Sequence, residues 1–174
     1  VAGKKVLIVY AHQEPNSFNR SMKQVAVEEL SKQGCTVTVS DLYTMNFEPR
    51  ATRNDVTGAL SNPEIFQYGI ETYGAYKKKA LTSDILEEQR KVQQADLGKL
   101  ALLSLTTGGT AAMYIKHGIL HFCGFKVLAP QISFGLEVSS GEQRKVMLAS
   151  WAQRLKSIWK EEPIHCTPAW YFQG

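Results

Sequence analysis

The chain has 174 residues, 44% apolar and 21% charged, with a formal net charge of +4. That suits a single soluble globular domain, residues 1–174, with a sizeable core. Lys and Arg are spread out rather than clustered, which argues against nucleic acid as the main partner, and no stretch approaches the ~20 apolar residues of a membrane span. Three cysteines without regular spacing make no disulfide framework, so a reducing compartment fits better. Lys4-Lys5 before Val6 to Ala11 loosely mimics a secretory leader, but the apolar run is too short and a polar turn interrupts it. The expected location is cytoplasmic.

Taken in order, Lys5 to Ala11 reads as a buried strand. It stops at the polar turn His12-Gln13-Glu14-Pro15-Asn16-Ser17, and an amphipathic helix follows at once. In a parallel α/β sheet such a turn lies at the strand's carboxyl end, where helix N–H groups and the helix dipole favour anions. It is neither a G-x-G-x-x-G fingerprint nor a P-loop, and is expected to be a flavodoxin-type phosphate turn. From these residues alone, Ser17 acting only as a helix cap is an equal alternative. Phe18, Met22, Val25 and Ala26 mark the helix's apolar face, with Leu30 at its margin and Gly34 as the stop. Cys35 to Asp41 is a second strand whose Thr/Ser alternation places it nearer an edge. The stretch from Tyr43 to Lys79, broken by Pro49 and Pro63, is expected to hold long connections and a short helix. Thr82-Ser83-Asp84 caps a helix running to about Leu97. Lys99 to Thr106 and Lys126 to Phe134 read as further strands. Met147, Trp151, Leu155 and Trp159 recur every four residues and predict a long C-terminal helix. The order is that of a doubly wound parallel sheet with helices on both faces.

One junction breaks this order. Gln94-Ala95-Asp96-Leu97 ends a helix, yet Gly98-Lys99 opens a strand immediately, leaving no room for a βαβ unit of ~30 residues. A strand and crossover helix are missing at 97/98, and a smaller piece at 116/117.

Two further groups of residues carry chemistry. Thr106-Thr107-Gly108-Gly109-Thr110 follows a strand, and its glycines let backbone N–H groups approach a flat ligand; an ordinary glycine turn is the competing reading. Tyr114 lies just beyond, as a ligand contact or a packing residue with a solvated tip. His117 and His121 stand at i and i+4, a metal-chelating spacing that two unrelated histidines would also produce. Cys123 falls about 240° round a helix from His117 at ~100° per residue, so Cys166, beside His165, is the better third ligand.

The stretches KKVLIVYAHQEPNSFN, CTVTVSDLYTMNFEPRAT, LLSLTTGGTAAMY, HGILHFCGFKVLAPQISF and SIWKEEPIHCTPAWYF resemble the FAD-dependent NAD(P)H:quinone reductases, most closely their type 2 branch. The resemblance implies a flavodoxin-like fold, a homodimer and tightly held FAD. By position, His12, Phe18, Asn19, Arg20 and Ser21 would meet the adenylate and diphosphate. Thr106, Thr107, Gly108, Gly109 and Tyr114 would line the flavin, and Glu137 and Arg144 look like the remaining FAD contacts. Arg20 departs from the small residue usual in this branch; it either adds a phosphate contact or crowds the turn. His117, His121 and Cys166 match the family's zinc ligands, which decides the histidine pair in favour of metal.

The implied chemistry is two-electron reduction of quinones. A reduced nicotinamide donor, in this branch dihydronicotinamide riboside rather than NADH or NADPH, gives hydride to the flavin and leaves. A quinone then takes its place, a ping-pong cycle. Gly108 and Gly109 backbone donors and the Tyr114 phenol would stabilise charge during catalysis. The family pattern lacks residues where the chain order breaks: a central strand, the aromatic loop against the flavin and a helix at 97/98, and a loop at 116/117. Segments absent from this sequence but present in the molecule is the preferred explanation. A real shortening is the alternative, a catalytically inactive binding form retaining the metal site. A third reading, a small FMN electron carrier, fits the positive charge and the Glu137/Arg144 pair less well.

Overall fold

The computed structural model of the chain describes residues 2–96, 120 and 123–164. β1 (Lys5–Tyr10) and β2 (Thr36–Asp41) pair in parallel, Lys5 opposite Thr36 through Tyr10 opposite Asp41. Parallel neighbours require a crossover, and α1 (Phe18–Lys32) supplies it. The C-terminal end of α1 is a Schellman turn: the Gly34 N–H donates to Ser31 O (2.9 Å) and the Cys35 N–H to Leu30 O (3.1 Å). Gly34 sits at φ 80°, and a Cβ there would approach the Cβ of Ala2 to 3.2 Å, so two independent constraints select glycine.

The main core lies on one face of this pair. Val6 and Ile8 of β1 meet Ala26 and Leu30 of α1, and Trp151 and Leu155 of α4 (Gly141–Ser157), with Ile158 beyond. Val37 and Val39 of β2 join this cluster, so strand alternation turns Ser40 to the opposite face. There Ser40, fully buried, accepts from Lys91 Nζ (3.2 Å) of α3 (Ser83–Gln94), and Leu7 is only 2% exposed. Helices therefore cover both faces. A smaller core of Val56, Ala75 and Leu81 sits under α2 (Tyr68–Lys78), the short helix expected between Tyr43 and Lys79. Two carboxylates hold that irregular region: Asp55 accepts from Tyr68 Oη (2.6 Å), and Glu71 from the Ser61 and Asn62 N–H groups (2.8 and 3.0 Å).

Three expectations need correction. Leu30 is central to the core at 1% exposure, not marginal, because it continues the i, i+4 row of Met22 and Ala26. α3 ends at Gln94, before Leu97. Asp96 leaves the helix to pair with β1, its N–H donating to Lys5 O and its carboxylate accepting the Lys5 N–H, both at 2.9 Å. No strand is assigned from Lys126 to Phe134 among the described residues; there Val127 O accepts the Ile164 N–H (2.8 Å), joining this segment to the chain beyond α4. The strand expected from Lys99 to Thr106, and the 97/98 and 116/117 junctions, lie outside the described residues.

Candidate functional site

The first turn of α1 forms the described part of the site. Ser17 takes extended backbone (φ −71°, ψ 156°) and its Oγ accepts the Arg20 N–H (3.2 Å), so its hydroxyl does cap the helix. No acidic side chain stands in the first turn, and the positive end of the dipole is left for an anion. Before the cap, His12 Nδ1 accepts the Glu14 N–H (3.1 Å), which leaves Nε2 to carry the ring proton. The Glu14 carboxylate turns onto the Asn16 N–H (2.9 Å), and Arg20 Nη1 reaches back to Pro15 O (2.8 Å). Asn19 is buried on the core side, whereas Arg20 is exposed. His12, Phe18, Asn19, Arg20 and Ser21 lie on one loop and one helix turn, Asn19 facing inward and Arg20 outward.

A pair that sequence reasoning missed fixes this turn to the sheet. Lys23, on the second turn of α1, bonds Asp41 at the end of β2 (3.2 Å) and lies 4.0 Å from the Tyr10 ring centroid at the end of β1. Burial pushes the Asp41 carboxyl up, but the Thr44 N–H and hydroxyl and the Lys23 ammonium outweigh it and hold it below the usual carboxylate range. No local pattern announces this pair; its sequence signals are a polar strand end and a lysine one turn before Ala26 and Val27.

Arg144 reaches back to the residue before Glu137. The chain turns at Gly135 (φ 64°), Val138 N–H closes onto Gly135 O (3.1 Å), and Arg144 Nη2 donates to Leu136 O (2.9 Å). Ser140 and Gln143 form a capping box at the start of α4. Trp151 Nε1 bonds Met22 O and Gln33 Nε2 bonds Leu155 O, both at 3.1 Å, so α1 and α4 run in the same sense. Their N-termini therefore lie towards the carboxyl end of the sheet, where α/β folds take ligands.

Thr106, Thr107, Gly108, Gly109 and Tyr114, expected at the flavin, lie outside the described residues, as do His117, His121 and Cys166, expected at zinc. Among the described residues no group of three or more His, Cys, Asp or Glu could hold a metal ion, and no helix is long and apolar enough to cross a membrane.

The parallel pair covered by helices on both faces belongs to an α/β protein of flavodoxin-like fold, and that fold family matches residues 4–98. A solved Klebsiella pneumoniae structure, named provisionally as a quinone reductase, superposes with a TM-score of 0.81. It shares 22% identity, over 93% of this chain and 87% of that one, a likeness of fold. Ribosyldihydronicotinamide dehydrogenase (quinone) of Rattus norvegicus is 68% identical over 231 residues, covering 100% of both chains. NAD(P)H dehydrogenase (quinone) 1 of Cavia porcellus is 37% identical over 97% of this chain and 82% of its own. The chain belongs to the NAD(P)H:quinone reductase family, in its ribosyldihydronicotinamide dehydrogenase branch. The aligned stretch with the rat relative is 231 residues against 174 here, a difference of 57.

Proposed function

We propose that this protein reduces quinones by two electrons, with FAD as cofactor and a reduced nicotinamide, preferably dihydronicotinamide riboside, as donor. The 68% identity to the rat dehydrogenase over the whole of both chains carries this reading. The described residues fit the anionic end of FAD: a helix whose first turn holds no acidic side chain, a guanidinium, and a second helix start bearing Arg144. His12, Phe18, Asn19, Arg20 and Ser21 would hold the adenylate and diphosphate, with Glu137 and Arg144 as the remaining FAD contacts. Thr106, Thr107, Gly108, Gly109 and Tyr114 would line the ring. When bound, the flavin supplies hydride transfer in a ping-pong cycle. The glycine N–H groups and the Tyr114 hydroxyl would steady developing charge. Purified protein should reduce a quinone with dihydronicotinamide riboside, giving parallel double-reciprocal plots; absence of turnover with FAD supplied would refute the enzyme reading.

The 57-residue difference from the rat relative supports placing missing segments at 97/98 and 116/117, where the order of elements fails. It also favours a second reading, a shortened and inactive binding form that keeps the metal site; intact mass separates the two.

His117, His121 and Cys166 supply the nitrogen and thiolate donors that tetrahedral zinc prefers. The homodimer is supported by an apolar stripe on α2, where Ile70, Tyr73 and Tyr76 are 59%, 61% and 52% exposed within about 120° of the helix. Zinc lost from His121→Ala with flavin retained, and a light-scattering mass of two chains, are expected. Unchanged zinc or a single-chain mass would remove the corresponding part. A reducing, cytoplasmic setting accords with this chemistry.

A further inference from the structure

We propose that the groove between the end of α2 and α3 docks an extended acidic segment of another protein. Tyr76, Lys77 and Lys79 form one wall and Leu86, Gln89 and Gln93 the other, around about 380 Å³. Residues 86 to 93 span about 10 Å of helix, the length of about three extended residues. Charge selects the occupant. All 16 acidic residues of the chain lie among the described residues, and none pairs with Lys77 or Lys79. Arg90, the third cation of the lining, is taken by Glu87 (2.8 and 2.6 Å), so the two lysines carry the uncompensated charge. Both are held in place. Lys77 Nζ lies 4.3 Å from the Tyr73 ring centroid. Lys79 takes left-handed backbone (φ 55°, ψ 36°) at the helix cap, where glycine is the usual residue. Lys77 and Lys78 already answer the helix dipole, so the dipole gives no reason for a third lysine in that backbone. Leu86 and the half-exposed Tyr76 offer an apolar seat, and the two glutamines, one turn apart, offer the donors and acceptors a peptide backbone needs. Two free cations over so short a track suit carboxylates better than a nucleic-acid backbone. Tyr76 also belongs to the α2 stripe assigned to the homodimer; the α3 wall does not.

The test measures, by fluorescence anisotropy at low salt, binding of a labelled peptide with four glutamates about a central leucine. Controls are the same peptide with glutamines and a short single-stranded DNA. Wild-type protein should bind the acidic peptide at least tenfold more tightly than either control, and added salt should weaken it. The double variant Lys77→Gln, Lys79→Gln should bind it about tenfold more weakly, with quinone reduction and light-scattering mass unchanged. Lys79→Gly should weaken the peptide while raising the thermal midpoint, because the cap gains its favoured residue. That opposite movement separates docking from a structural role. Equal binding of the acidic and neutral peptides, or no loss in the double variant, would overturn the proposal. DNA bound more tightly than the acidic peptide would make the groove a nucleic-acid surface instead, and an altered mass in the double variant would give it to a second copy of the chain.

Discussion

Leu155→Ala is expected to lower stability by about 3–4 kcal/mol, and the thermal midpoint by roughly 10 °C. Leu155 is fully buried, in contact with the cluster formed by β1, α1 and α4, and rigid neighbours surround it. Truncation removes the transfer free energy of its methyl and methylene groups and leaves a cavity that the cluster cannot close. The backbone there is also fixed, because Leu155 O accepts Gln33 Nε2 from the end of α1 (3.1 Å). Calorimetric unfolding of the variant checks this; a loss below about 1 kcal/mol would mean that the face between α1 and α4 is not the principal core.

Arg154→Ala comes second, with an expected loss of about 2 kcal/mol at neutral pH. Its Nε and Nη2 meet the two oxygens of Glu161 at 2.8 and 2.7 Å, a bidentate pair only 18% and 25% exposed. The same Nη2 donates to Ala129 O (2.6 Å), so one side chain ties α4 to the chain before it and after it. Hydrogen bonding from Arg154, with its charge, holds the Glu161 carboxyl below its ordinary value of 4.5 against the opposing push of burial. A carboxyl depressed in the folded state stabilises fully above its unfolded pKa. That contribution is lost as pH falls through the lower, folded value. The stability gap between wild type and Glu161→Gln should therefore be constant from pH 7 to about 5 and shrink below about 4.5. A gap that widens towards acid would contradict the assignment.

Much of this architecture was legible because its determinants are local. The run Val6 to Tyr10, the Ser17 cap, Gly34 and the four-residue recurrence of Met147, Trp151 and Leu155 each act within a turn or a strand. What was misread depends on distant partners. α3 stops early because Asp96 is drawn to Lys5, some 90 residues away in the chain. Leu30 becomes central only when Trp151 and Leu155 arrive from α4. The segment from Lys126 reads as a strand from Val127, Leu128 and Ile132, yet among the described residues its partner is Ile164, far along the chain, whose N–H bonds Val127 O. The site followed the same division. The Ser17 to Ser21 turn was visible from its cap, whereas the Lys23–Asp41 pair that holds it against the sheet joins two elements that no short window spans. Glu137 and Arg144 were assigned through family resemblance alone, whereas the glycine turn and the histidine pair, which lie outside the described residues, showed a local pattern that the resemblance then settled.

The most direct test of the flavin-dependent reading is the cofactor itself, released from the purified protein by heat, separated by chromatography and quantified against protein. FAD at close to one per chain is the expected result. A colourless preparation that takes up no FAD when it is supplied, or one that yields FMN instead, would contradict it.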